Sequence, residues 1–159
     1  MSNRFTFTTG KAAGAQDSLS SQVCFSVYSA MLGFNKVYRR ALKDLDITYP
    51  QYLVLMVLGE CDNIAMTEIS ERLKLESSTL TPMLKRLEEQ GIVCRKRYAF
   101  DERKVIISLT EKGAEVIARA CDVPGYVAGA TGLSMEEDHT LRALLAKLNI
   151  QLDKSMQNA

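Results

Sequence analysis

Residues 66–110 constrain this chain most, because their apolar spacing changes from helical to extended within one short span. Ile69 and Leu73 lie four apart, and Leu80, Leu84 and Leu87 repeat at four and three, so each set marks one face of a helix. Only a few residues separate the two stripes. Gly91 is a good helix stop, and beyond it residues 92–97 and 105–109 are rich in β-formers on either side of a polar tip. Two helices joined by a tight turn and followed by a hairpin predict a winged helix-turn-helix, with the second helix in a major groove and the hairpin on the neighbouring backbone or minor groove. The fold class expected is mainly α: a winged helix-turn-helix with a two-stranded β-wing plus N- and C-terminal helices forming a dimerisation layer.

The charges fit a nucleic-acid reader. Opposite Leu80, Leu84 and Leu87, the second helix carries Ser78, Pro82 and Lys85, with Thr79, Thr81 and Arg86 beside them. Hydroxyls and cations suit phosphate positioning and base-edge contacts. The hairpin adds Arg95, Lys96, Arg97, Arg103 and Lys104. A solvated helix and an ordinary charged hairpin would account for either piece alone; the two in this order favour nucleic acid, and the partner expected of a winged helix-turn-helix is double-stranded DNA.

The 159 residues are about one domain in length, and the formal net charge is only +1. Nucleic-acid binding must then come from a local patch rather than a global field, and dimerisation would double that patch. With 47% apolar residues, no Trp and 3 Pro, the composition predicts a soluble, helix-rich chain. No apolar run approaches a membrane span and no charged start leads into a signal core, so the cytoplasm is the expected location. The 4 cysteines, at 24, 61, 94 and 121, form no C-x-x-C pair, and His139 stands alone. No metal site or cofactor is expected from them. The default is free thiols that pack as small apolar side chains.

Residues 1–18 show no usable period and read as a mobile arm. From 19 to 45, Val23, Val27, Ala30, Met31, Phe34, Val37, Ala41 and Leu45 have helical spacing, with Ser20 or Ser21 able to cap the start and Gly33 a weak point. This is the expected dimerisation helix. Residues 46–120 form the DNA-binding lobe, opened by the helix-start signature Thr48, Tyr49, Pro50 ahead of an all-round apolar segment at 52–58 that should be buried. Pro82 falls about one turn inside the recognition helix if Ser77 or Ser78 is its cap. Thr110 can cap a helix running to Pro124, after which Gly125, Gly129 and Gly132 mark a loose or broken passage. In the C-terminal part, 121–159, Ser134 and Glu137 form a capping box ahead of Leu141, Leu144, Leu145, Leu148 and Leu152. That helix cannot bury its stripe alone. Either it completes a monomer's core or, as we prefer, it pairs with its copy about a two-fold axis, which would match a palindromic site with half-sites about one helical turn apart.

Cys24 is the thiol singled out by its surroundings. It lies near the expected first turn of the long helix, where the positive dipole end and free N–H groups favour a thiolate, the form that attacks a peroxide. Tyr28, Tyr38 and Tyr49 are three of 6 tyrosines in the chain, and a phenol can donate to a thiolate without competing as a base. Cys61 and Cys94, at an apolar helix end and in a strand, read as structural.

The run STLTPMLKRLEEQGIV and the following DERKVIISLTEKG resemble the MarR family of winged-helix repressors, and within it the organic-hydroperoxide-sensing branch known as OhrR. The resemblance implies that Arg103 enters the minor groove and Asp101 helps orient it. It makes Cys24 the redox sensor, with Tyr38 and Tyr49 hydrogen-bonding the thiolate across the dimer, and makes Pro82 compatible with the recognition helix. Some members of the branch carry a second, resolving cysteine in a C-A-T-G-L segment. Here that segment reads Gly129, Ala130, Thr131, Gly132, Leu133. Cys121 would serve only with a rearranged loop, so a one-cysteine scheme is expected, in which the sulfenic acid goes on to a sulfenamide or a mixed disulfide with a small thiol. The function implied is a homodimeric repressor, not an enzyme, that leaves its operator when an organic hydroperoxide oxidises Cys24. The alternatives are a repressor released by a small phenolic or aromatic ligand, and a thiol peroxidase using Cys24.

Overall fold

The computed structural model describes residues 19–98 and 101–157, without the side chains of Glu102 and Arg103. The expected arm at 1–18 and the Arg103 side chain lie outside the described residues. The chain divides between Lys36 and Val37, within the first helix.

On the N-terminal side of that division, a short 3-10 turn at Leu19–Ser21 leads into α1, Val23–Ala41. The helix is opened by Gln22, whose carbonyl accepts from the N–H groups of Phe25 and Ser26, both at 3.1 Å. Ser20 and Ser21 lie in the preceding turn. α1 buries none of its residues, and Val23, Val27, Met31 and Phe34 of its apolar stripe are exposed.

In the second unit the chain turns through Lys43–Leu45, with Asp46 left-handed at φ 52°, before α2, Tyr49–Glu60. Thr48 caps α2 with a reciprocal pair: its N–H donates to Gln51 Oε1 at 2.8 Å and its Oγ1 accepts from the Gln51 N–H at 3.5 Å. Gln51 is the one polar residue among the buried ones described, and this pairing satisfies its side-chain oxygen. Tyr52, Val54, Leu55, Val57 and Leu58 are buried around the same helix, so α2 is the pillar on which the rest packs.

The helix-turn-helix follows as β1, Ile64–Ala65, α3, Met66–Leu73, and α4, Ser77–Glu89. Ile69, Leu80, Leu84 and Leu87 are fully buried, each burial contributing about 1.5–3 kcal/mol. Lys74 closes α3 in the left-handed region at φ 53°, while the Leu75 N–H donates to Ser70 O at 3.0 Å and Ser70 Oγ donates to Leu75 O. At the end of α4, Gly91 takes φ 69° and the Ile92 N–H returns to Leu87 O at 2.9 Å, the Schellman closure a glycine allows.

The hairpin consists of β2, Val93–Tyr98, and β3, Asp101–Leu109. The hairpin is the two-stranded wing expected, and β1 adds a third strand antiparallel to β3, in the order β1-β3-β2 with Ile64 opposite Ile107. Both isoleucines are buried, so a strand too short to show a period is held by its cross-strand partner.

α5, Glu111–Arg119, is capped by Thr110, whose Oγ1 accepts from the Gly113 N–H at 3.0 Å. Its first turn presses on the sheet: a Cβ at Gly113 would come within 2.2 Å of Ile92 O. The helix stops at Arg119 rather than at Pro124, and Pro124 instead sits in the first turn of α6, Val123–Thr131. Gly125 and Gly129, expected in a loose passage, are inside that helix. Each costs up to about 1 kcal/mol relative to alanine, but Val123 and Val127, one turn apart, are buried against the core and offset this. Gly132 ends α6 at φ 66°. Ser134 and Glu137 then form the expected capping box, at 2.8 and 3.2 Å, for α7, Met135–Gln157. α7 buries none of its residues. No helix among the described residues is long and apolar enough to cross a membrane.

Candidate nucleic-acid interface and thiol site

Because Leu80, Leu84 and Leu87 turn inward, helical geometry brings the opposite face of α4 to the surface. Ser78, Thr79, Thr81, Pro82, Lys85 and Arg86 are all exposed there. The N-cap of α4 is Glu76, whose carbonyl accepts from the Thr79 and Leu80 N–H groups at 2.9 and 3.0 Å. Neither Ser77 nor Ser78 is the cap. Pro82 therefore sits deeper than the first turn, and the helix continues through it to Glu89.

The polar groups on this face are only lightly engaged. Ser78 Oγ donates to Glu76 Oε2 at 3.3 Å, Thr81 Oγ1 lies 3.9 Å from Met66 Sδ, and Lys85 Nζ is 3.9 Å from Glu89 one turn on. An exposed pair of that kind is worth well under ~1 kcal/mol, so Lys85 can exchange its carboxylate for a phosphate at little cost. Arg86 enters no ion pair among the described residues.

Arg95 is placed differently. Its side chain is 27% exposed, and its Nε lies 3.6 Å from Glu88 Oε2, joining the base of β2 to α4. Lys96 and Arg97 farther along β2 are exposed. Asp101 opens β3 opposite Tyr98, where the register shifts; Arg103 follows in the same strand. A further ion pair, between Lys74 in the helix-turn-helix turn and Asp153 of α7, joins the lobe to the C-terminal helix.

Cys24 is the second residue of α1, as its expected place in the first turn requires. Its thiol is exposed and donates to Gln22 Oε1 at 3.5 Å. In the other unit Tyr38 and Tyr49 stack, with ring centroids 3.8 Å apart and planes inclined by 20°. Burial first, then the neighbouring Tyr49 and Tyr52 and a hydrogen bond with Tyr49, push the Tyr38 hydroxyl up to about 12. It is thus a neutral phenol throughout the physiological range. The structure brings Tyr38 and Tyr49 together and adds Tyr52, whose ring is 5.9 Å from that of Tyr38. The sequence reading treats Tyr52 only as core; its spacing of three from Tyr49 is the signal that puts both on one face of α2. Cys61, expected to be structural, is exposed at the C-cap of α2, Cys94 is half-buried in β2, and Cys121 is exposed. The position of the branch's resolving cysteine, Gly129, falls within α6.

A family model described as transcriptional regulator SarA/Rot matches residues 36–120. The organic hydroperoxide resistance transcriptional regulator of Bacillus subtilis is 45% identical over 130 residues, covering 82% of this chain and 88% of that protein. Among solved structures, reduced AbfR bound to DNA, a Staphylococcus epidermidis protein, superposes with a TM-score of 0.76 at 36% identity over 87% of this chain and 94% of that one. A MarR variant from E. coli complexed with operator DNA superposes with a TM-score of 0.71 at 27% identity, over 83% of this chain and 98% of that one. Matches of this extent cover the lobe and run beyond it. The chain belongs to the MarR family of winged-helix transcriptional regulators.

Proposed function

We propose that this regulator is a homodimeric, DNA-binding repressor that releases its operator when an organic hydroperoxide oxidises Cys24. The exposed face of α4 supplies the major-groove contacts: Lys85 and Arg86 for phosphates and Ser78, Thr79 and Thr81 for phosphates or base edges, with Pro82 among them. Asp101 and Arg103 serve the minor groove from the wing. Arg95 takes the phosphate nearest the base of the wing, its Nε lying 3.6 Å from Glu88 Oε2. The unburied stripes of α1 and α7 are what a second copy would cover, and two-fold pairing presents two recognition helices to a palindromic site.

The observation that carries the redox half is the Tyr38–Tyr49 stack. Two phenol rings held face to face offer O–H donors without a competing base, which is what a thiolate needs to persist and attack. The Cys24 thiolate attacks one peroxide oxygen, the O–O bond breaks, and the alkoxide leaves as an alcohol after taking a proton; the cysteine becomes a sulfenic acid. A small thiol then displaces water from that sulfur and leaves a mixed disulfide. Loss of the thiolate and the added bulk bias the spacing of the recognition helices, and a few kcal/mol of lost fit lowers affinity by orders of magnitude. AbfR, a relative solved on DNA in both reduced and overoxidized forms, supports redox control on this fold. The hydroperoxide-resistance relative supports the oxidant class.

The test is Cys24→Ser on the gene's own upstream region, with and without cumene hydroperoxide. Serine keeps size and a hydrogen-bonding oxygen, so the reduced affinity should survive, and release by peroxide should be lost. Release of the variant at the wild-type rate would discard the sensor. The tyrosine cluster would also suit a phenolic effector, in which case a phenol releases Cys24→Ser as well as wild type.

A further inference from the structure

We propose that Tyr52 is a positioning residue of the thiol switch, its buried ring forming the wall that holds Tyr38 in its stack with Tyr49. The inference rests on the reading of Cys24 and its phenolic donors given above. Tyr49 and Tyr52 are one turn apart on α2, so their rings leave the helix on the same side. Tyr38, at the end of α1, meets both: its centroid is 3.8 Å from Tyr49 and 5.9 Å from Tyr52, in a stacked and a tilted arrangement respectively. The tilted pair lies within the usual separation of packed aromatic rings, and the stacked pair is closer still. Tyr38 and Tyr49 are half-buried, whereas Tyr52 is only 5% exposed and packed in the core of the lobe. The donor pair thus lies at the margin of the core, and Tyr52 anchors it there.

A half-buried ring has room to turn about its side-chain torsions unless its neighbours occupy the space. Tyr49 blocks one direction and Tyr52 another, so the two together fix where the Tyr38 hydroxyl points. Without the Tyr52 ring, Tyr38 can tilt away from Tyr49, and the two donors no longer act on one acceptor. Burial first, then the neighbouring Tyr49, pushes the pKa of the Tyr52 hydroxyl up, so it stays protonated. It therefore adds no negative charge beside a thiolate. The contribution comes from the ring, not the hydroxyl.

The experiment uses the full-length reduced protein on its upstream DNA and follows release by cumene hydroperoxide as a second-order rate. Tyr52→Leu is expected to slow release about tenfold, the scale of one aromatic contact, with reduced-state DNA affinity within about twofold of wild type. Tyr52→Phe keeps the wall and is expected to restore the rate to within about twofold. If Tyr52→Leu does not fold, Tyr52→Met, which retains most of the volume but no flat face, carries the same expectation. A merely structural residue would lower the reduced-state affinity and Tm and leave the peroxide rate of the folded fraction unchanged; that result, or equal slowing in Tyr52→Phe and Tyr52→Leu, overturns the inference. The Cys24→Ser variant separates the levels. If it is inert to peroxide while Tyr52→Leu reacts at full speed, only the role of Tyr52 is wrong; if it is released normally, the sensor reading falls and Tyr52 with it.

Discussion

Helices α4 and α7 carry leucines at the same helical spacing, yet Leu80, Leu84 and Leu87 of α4 are fully buried while α7 buries none of its residues. The difference lies in what surrounds each helix. α4 meets α2, α3 and the start of the sheet, so its stripe is closed off within one chain. α7, longer at 23 residues, leaves Leu141, Leu144, Ile150 and Leu152 exposed. α1 likewise buries nothing. A lobe that completes its own core and helices that do not is the division that the dimeric reading proposed above requires, since on that reading the exposed helices gain their stability from association.

Four changes would break or sharpen this contrast. The largest effect belongs to Leu84→Ala, which should lower unfolding free energy by about 3 kcal/mol through lost burial and a residual cavity, independently of protein concentration. Denaturant titrations at two concentrations check both points. Next, Leu144→Glu should weaken self-association by about 2 kcal/mol, some thirtyfold in the dissociation constant, and leave the helical signal of the lobe intact. An unchanged sedimentation profile would show that the α7 stripe is not an interface. Lys85→Ala with Arg86→Ala should lower DNA affinity about tenfold at moderate salt and flatten the salt dependence by about two phosphate equivalents per subunit, with no change in stability. Wild-type salt slope in that variant would remove the outer face of α4 from the interface.

The smallest effect is a pH dependence in the aromatic cluster. Tyr38 is raised above its ordinary value of 10.0 to about 12, so the folded state holds its proton more tightly than the unfolded chain does. Its contribution is fully present below about pH 10 and is lost as pH rises towards 12. Tyr38→Phe should flatten the stability profile across that alkaline window and leave it unchanged near neutrality. An identical alkaline slope in wild type and variant would mean that the stack is not holding the phenol neutral.

Much of this architecture was legible because its signals are local. A cap and its partner are three residues apart, so Thr48 with Gln51, Thr110 with Gly113 and Ser134 with Glu137 can be read before any packing is known. The inward stripe of α4 is equally local, and it places Lys85 and Arg86 outward by helical geometry alone. Signals of this kind fail where two helix starts compete. Ser77 and Ser78 are good caps by type, yet neither is the N-cap: Glu76 opens α4.

By itself, the sequence determined the period of the helices other than α6, the caps of α2, α5 and α7, the outward face of α4 and the place of Cys24 in the first turn of α1. Tertiary structure alone decided that Ile64 pairs with Ile107 to make a third strand, that burial of Val123 and Val127 keeps α6 helical in spite of its glycines, and that Arg95 is drawn to Glu88. It also decided that Tyr52 joins Tyr38 and Tyr49 and that Cys61 is exposed. The physical reason is range. Backbone periodicity and capping act within about one helical turn, whereas pairing across a sheet, side-chain exposure and ring stacking depend on which distant surfaces meet once the core has closed.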